Sequence, residues 1–459
     1  MTPENTKTLK KENVKENKMG IMPVKKLVIT MSLPMMFSML VQALYNIVDS
    51  IFVSRISERA LSAVTLAYPM QNLMIAVATG TAVGINALLS KSLGEKNFDK
   101  ANDTANNGIL TTILSYLLFV LIGIFLVPVF ISSQTSDKII VDYGISYTKV
   151  CCFGSLALFC QVTFERLLQS TGRTVFSMIS QITGAVINII FDPILIFGLL
   201  GFPKLGVTGA AIATVFGQLC ASLTALFLNV KYNKDIKIGL KRVFNINDEV
   251  IKKIYSVGIP SILMVSIGSI MTYFMNRILG TFSSTATAVF GVYFKLQSFF
   301  FMPVFGLNNG IIPVLAYNLG AKRKDRIKET LKFALLLAFI MMLTGTLCFE
   351  LLPDKLLTLF NAGEKMIKIG VPAMRIIALH FPIAAVSIIL ISTFQAFSKS
   401  MYSLVVSVCR QLVVLIPVAY FLAKTGVLNN VWWCFVCAEV MSVSVSIFFF
   451  KKIYKEFIK

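Results

Sequence analysis

Apolar runs of roughly 20 residues or more, each long enough for a helix to cross a hydrocarbon core of about 30 Å, follow one another along the whole chain with short polar punctuation between them. Twelve helices are predicted, near 27–53, 61–90, 107–131, 145–168, 174–200 and 206–230, then near 255–280, 286–317, 330–352, 370–395, 401–423 and 428–450. The reading is an all-α membrane protein with twelve transmembrane helices.

The punctuation recurs. Shifted by 226 residues, the chain lands on itself: Pro34 falls on Pro260, Gly80 on Gly306, Gly84 on Gly310, Gly94 on Gly320, Lys96 on Lys322, Asp99 on Asp325, Gly144 on Gly370 and Gln169 on Gln395. The matched positions are mostly Gly, Pro and charged residues, which seldom coincide by accident in so apolar a sequence. Six spans per copy is an even number of crossings, so both copies keep one orientation and the halves are parallel repeats. Two pseudo-symmetric six-helix bundles follow. The predicted organisation is a polar tail over 1–24, a first lobe over 25–230, a basic linker over 231–254, a second lobe over 255–450 and a basic tail over 451–459. Gly94 and Gly320, each closing an apolar run two residues before a lysine, read as helix C-caps.

Composition and charge sharpen the picture in two ways. With 56% hydrophobic residues, 14% charged and a mean hydropathy of +0.78, the chain is too apolar for a soluble domain. About 30 of its 43 Lys and Arg fall in the tails and the even-numbered connections, which places both termini on the cytoplasmic side. The net charge of +21 is then mostly topology, and no nucleic-acid partner is implied. Residues 1–24 are polar, and the run after them is too long for a cleaved signal. The eight cysteines lie in or beside predicted spans and read as packing residues.

Chemistry is sought where the repeat fails. Asp49, Asn188 and Asp192 of the first half face Met275, Val414 and Val418 of the second. A carboxylate at membrane depth costs at least about 2.5 kcal/mol on insertion scales, so an intramembrane Asp is a functional hypothesis by default. On the first span Ser38, Gln42, Tyr45, Asn46 and Asp49 recur at helical spacing, and on the fifth so do Ser177, Gln181, Gly184, Asn188 and Asp192. Pro193 cannot donate to the carbonyl of Ile189, which leaves a further oxygen free there. Both acids come late in spans that run from inside to outside, so they share a depth in the outer half. Asp49, Asn188 and Asp192 make a hard-oxygen set suited to Na⁺ or to a shared proton. Gln42, Tyr45, Asn46, Gln181 and Lys295 are candidates to line a substrate cleft. Arg410 and Glu439 fall at similar depth and read as a structural ion pair; the single histidine, His380, reads as hydrogen-bonded packing.

Pro34 followed by Leu-Tyr-Asn-Ile-Val-Asp49, then Asn188-Ile-Ile-Phe-Asp192-Pro193, Gly206-Val-Thr-Gly209 and two six-span repeats, resemble the multidrug and toxic compound extrusion (MATE) family, in particular its bacterial DinF/MepA-like branch. The resemblance spans about residues 25 to 450. It implies a V-shaped pair of six-helix lobes, working as a monomer in the bacterial cytoplasmic membrane, that exports lipophilic or cationic compounds in exchange for H⁺ or Na⁺. It implies no enzymatic activity and no cofactor beyond the transported ion. It carries the coupling role onto Asp49, Asn188 and Asp192, and onto Thr214 of the sixth span. Acids that some relatives place in the second lobe are absent at the equivalent positions. A lipid-linked-saccharide flippase is the alternative of related two-lobe build, and the paired acids favour antiport over it.

Overall fold

The computed structural model describes residues 16–360 and 362–459, so most of the predicted polar tail, through residue 15, lies outside the described residues. The described residues are nearly all helical, with no strand among them. Ten helices are individually long and apolar enough to cross a membrane: Val24–Ser54, Glu58–Gly94, Phe98–Ser132, Thr174–Phe197, Val207–Tyr232, Asp248–Gly280, Ser284–Gly320, Lys324–Leu351, Ser400–Ala423 and Leu428–Ile458. Two further spans, the fourth and the tenth, are each a bent pair, Lys138–Phe153 with Ser155–Ser170 at 45° and Glu364–Ala378 with Phe381–Ala396 at 49°. Counting each pair once gives the expected twelve. The sequence reading ran the fourth and tenth spans straight; the helices break at Gly154 and at Leu379-His380, which are repeat-equivalent places.

The repeat is written into the backbone as well. Ser57 and Ser283 cap the second and eighth spans alike, their hydroxyls accepting from the Ala60 and Ala286 amides at 3.1 Å. Lys96 and Lys322 both adopt φ of 56°, and Gly172 and Ser398 are a second left-handed pair. This corrects the cap assignment. Gly94 and Gly320 are the last helical residues of their spans, and the left-handed turn after each is taken by the lysine, with the Asn97 and Arg323 amides reaching back to Ser92 and Asn318 at 2.9 Å.

What the glycines do is let the two halves meet. The first span packs on the eighth and the seventh on the second, so each half lends its leading helix to the other. At Gly94 a Cβ would run into the Tyr317 carbonyl, and at Gly320 into that of Lys91; Gly80 lies against Ile262 and Gly306 against Met36. Lys91 and Tyr317, like Met36 and Ile262, are repeat partners, so the crossing is itself two-fold symmetric.

The segment ahead of the first span and the basic linker are both anchored to this frame. Asn17 donates to the Thr171 carbonyl at 3.0 Å, while Arg326 donates to the Met19 and Met22 carbonyls at 3.0 and 2.8 Å. Met19 is fully buried beside Leu93, Leu168 and Tyr317, so the segment ahead of the first span is wedged between the halves. The linker is tied to the third span: the side-chain oxygens of Asn102, Asn106 and Asn107 accept from the Lys237, Gly239 and Asn247 amides at 2.7, 3.0 and 3.0 Å. Along the outer surface, Leu114, Leu117, Leu118, Leu121 and Phe125 of the third span are exposed, as a lipid-facing helix requires.

Gly320→Val places two methyls against backbone that cannot rotate away, and overpacking of this kind costs about 1–3 kcal/mol. The expected result is a thermal unfolding midpoint in detergent lowered by several degrees, with Gly291→Ala, where a Cβ would meet nothing within 4 Å, unchanged. Equal midpoints would show that the helices can separate at Gly320 without loss.

Candidate functional site

The first, fifth and sixth spans bring the predicted set together. The Asp49 and Asp192 carboxyls lie within hydrogen-bonding reach of one another. The Asn188 amide donates to Thr214 Oγ1 at 3.4 Å and to Asp192 Oδ1 at 3.5 Å, both at the long end of the range. Asp192 is fully buried and Asn188 nearly so. Three oxygens in this space, Asp49 Oδ1, Asn188 Oδ1 and Asp192 Oδ2, are buried and have no hydrogen-bond partner. Buried acceptors are normally satisfied, and three unsatisfied oxygens on adjoining residues are what a proton or a hard monovalent cation would fill. Two carboxyls this close cannot both stay bare without a counter-charge. Tyr45 sits within electrostatic reach of both acids. Gln71 and Thr214 line a small cavity of about 30 Å³ alongside, and Gln71 donates to the Tyr147 hydroxyl at 3.0 Å. That volume is enough for a water.

The proposed cleft residues divide. Gln42 and Asn46 are exposed, one turn apart, between the edge of the first span that meets the eighth (Met36, Met39) and the edge that carries Tyr45 and Asp49. Lys295 is exposed, without a carboxylate partner among the described residues, three turns from Gly306 on the same edge of the eighth span. All three are exposed, on two spans that pack on one another. Gln181 does not join them. Its amide donates to Glu165 Oε2 at 2.7 Å inside the first lobe.

Glu165 belongs to a network that the sequence reading missed. It also accepts from Gln161 at 3.1 Å and Ser180 at 3.2 Å, while the neighbouring Arg166 donates to Gln169 at 2.8 Å and, across to the eighth span, to Asn309 at 2.9 Å. Glu165 and Arg166 are 4% and 8% exposed, so this is a buried acid and a buried base. Arg166 falls two residues from the expected end of the fourth span at 168, where a basic residue reads as cytoplasmic edge charge. The signal was present in Gln161, Glu165 and Gln169, which recur four residues apart as a third polar stripe.

The MatE family model matches residues 34–194 and again residues 260–421, one copy on each repeat. The chain belongs to the MatE family. Among curated relatives, it is 28% identical over 406 residues to a FAD transporter of Shewanella oneidensis, covering 86% of this chain and 88% of that one. It is 24% identical over 418 residues to the multidrug export protein MepA of Staphylococcus haemolyticus, covering 91% of both. A solved outward-facing multidrug resistance MATE family transporter of the MOP superfamily superimposes with a TM-score of 0.88 at 26% identity, covering 96% of this chain and 98% of that one. Another solved MATE, in complex with MaL6, gives 0.90 at 24% identity, over 96% and 99%. The two-lobe fold read from the sequence is therefore that of the MATE transporters, and the protein is a multi-pass membrane protein of a transporter family.

Arg166→Met removes the buried donor shared by Gln169 and Asn309 and leaves Glu165 beside an apolar neighbour. Stranding buried acceptors costs about 1–3 kcal/mol. The expected outcome is a lower unfolding midpoint in detergent, while Lys295→Met, at an exposed and unpaired position, leaves it in place. Equal midpoints for the Arg166 variant would mean that the network is slack.

Proposed function

We propose that the protein is a secondary-active multidrug exporter of the bacterial cytoplasmic membrane. It acts as a monomer with both termini inside, moving lipophilic or cationic compounds outward against entry of H⁺ or Na⁺. The observation that carries this reading is the trio of buried, unpartnered oxygens on Asp49, Asn188 and Asp192; the exposed Gln42 and Asn46 of the first span and Lys295 of the eighth are taken as the lining of the substrate opening. The export name of the MepA relatives supports the substrate class.

In this reading a proton or Na⁺ enters the cluster from the outer side and neutralises the facing carboxylates. Tyr45, half-buried and in reach of both acids, lies between the cluster and the exposed Gln42 and Asn46. Ion and substrate then favour opposite-facing arrangements of the lobes, so occupation of one site promotes release from the other; the coupling is reciprocal by necessity. Thr214 orients Asn188 and does not itself carry charge. The lipid-linked-saccharide flippase reading is not favoured, since the relatives carry export and transporter names.

A second substrate reading has one observation behind it. Lys295 presents an unpaired ammonium to the opening, which suits an anionic dinucleotide better than a cation, and one relative is named a FAD transporter. Efflux of ethidium and of FAD from energised vesicles, under separately imposed Na⁺ and H⁺ gradients, tests both readings. Gradient-driven transport of at least one compound is expected. Asp49→Asn with Asp192→Asn should abolish it while the protein is still inserted, because an amide neither releases a proton nor balances a cation. Normal efflux by that double variant would remove the coupling site from the first lobe.

A further inference from the structure

The second lobe holds an ionisable cluster of its own, built where the first lobe is smallest. Glu439 on the twelfth span, Arg410 on the eleventh, His380 on the tenth and Tyr293 on the eighth fall, by the 226-residue shift, on Ala213, Gly184, Gly154 and Ala67. Ala213 adjoins Thr214, and Gly184 is one turn from Asn188. The asymmetry of the repeat thus runs both ways. Where the first lobe keeps Asp49, Asn188 and Asp192 the second has apolar residues, and where the second keeps these four the first has Gly and Ala.

Geometry separates this cluster from a plain structural ion pair. Glu439 is 3% exposed, and its only charged contact among the described residues is Arg410 Nη1 at 3.5 Å from Oε2. A guanidinium held for structure grips a carboxylate through two contacts near 2.7–2.9 Å. Here one oxygen is loosely met and the other, Oε1, is buried with no partner. The Tyr293 hydroxyl is likewise buried and unpartnered, and Glu439 lies within its electrostatic reach. His380 occupies the break of the tenth span; its Nδ1 faces the Ile377 carbonyl at 2.5 Å and so carries the ring hydrogen, leaving Nε2 as an acceptor. The charges of Glu439 and Arg410 both bear on that ring, which stacks on Phe435, one turn from Glu439, at 5.9 Å. Arg410 stands in a π-helical turn, Cys409–Leu415, a wide turn that recurs at functional sites. The remaining titratable neighbours near the cluster on these helices are Cys434, Cys437, Cys409 and the exposed Lys295, two residues from Tyr293; the Lys399–Glu456 and Arg375–Glu350 pairs lie at opposite ends of the lobe.

We propose that Glu439 is a proton-binding group of the second lobe, with Arg410 as the partner that it releases when it is protonated. One proton moves between solvent and Oε1, and no other bond changes. The protonated carboxyl no longer holds Arg410, whose side chain is 24% exposed and which has no other carboxylate within salt-bridge distance among the described residues; a side-chain rotation of Glu439 would then be needed to reach the Tyr293 hydroxyl, which Oε1 does not meet in this structure. The site stands on its own residues and does not depend on the role given to Asp49 and Asp192.

The test uses the full-length purified protein. Dicyclohexylcarbodiimide reacts with buried carboxyls only when they carry a proton, and peptide mass spectrometry separates an adduct on Glu439 from one on Glu165. Labelling of Glu439 should rise as the pH is lowered. In the Asp49→Asn, Asp192→Asn background, adding Glu439→Gln should remove one proton from the acid–base titration of the folded protein, with helical content unchanged. Glu439 unlabelled at every pH at which the protein stays folded, or an unchanged proton count, would overturn the proposal; because labelling uses the unaltered residue, it decides the matter even where the variant fails to fold.

Discussion

Everything in this molecule is arranged around the close crossing of two glycine-faced helices, Glu58–Gly94 and Ser284–Gly320, with the leading helix of the opposite half and with each other. A side chain at Gly94 or Gly320 would occupy the space of a backbone carbonyl, so these positions set how closely the halves approach where the Asn17–Met22 segment is wedged between them. Further along, the contact loosens. Beyond Met39 and Asn309 the edges of the first and eighth spans carry exposed Gln42, Asn46 and Lys295. Tight at one end and edged by exposed polar side chains at the other, the crossing is placed where a fulcrum for the proposed lobe motion would have to be, and discrete repacking at such an interface is how small shifts at a site become lobe-scale motion.

The duplication supplies the frame while the chemistry departs from it. Two acids and an amide with unpartnered oxygens occupy the first lobe, and an acid with a loosely held arginine, a histidine and a tyrosine occupies the second. Neither set has its counterpart in the other half. Buried polar groups that bind nothing are expensive, so their retention at different places in otherwise matched lobes points to two kinds of ionic work on one scaffold. The Arg166–Asn309 hydrogen bond ties the first lobe's third polar stripe to the second lobe, close to the fulcrum.

Most of the fold was legible because its signals are long and repetitive. Apolar runs of membrane length fix the spans, and the shift that carries Pro34 onto Pro260 fixes the two-lobe plan before any contact is seen. The Asp49, Asn188 and Asp192 grouping was legible too, because helical spacing puts each stripe on one face and span direction gives equal depth. The rest was hidden for physical reasons. Nothing in Gly94-Glu95-Lys96 announces that lysine takes the left-handed turn while glycine serves a partner helix. Gln181 shares its stripe with Asn188 yet turns to Glu165, a choice made by the packing of the fourth span on the fifth. The Asn102, Asn106 and Asn107 contacts that fix the linker are long-range, and spacing alone cannot pair them.

The central claim is that the lobes rock about the glycine crossing, and that ion occupancy of the first-lobe cluster biases which end is closed. Spin-label distances test it most directly, with one pair on the repeat partners Arg55 and Thr281 at one end and another on Lys96 and Lys322 at the opposite end. Proton or Na⁺ binding and substrate binding should move the two distances in opposite senses, one end opening as the other closes, and Asp49→Asn with Asp192→Asn should abolish the ion-driven change. Distances that stay fixed, that lengthen together, or that respond to the ion equally in the double variant would contradict the account.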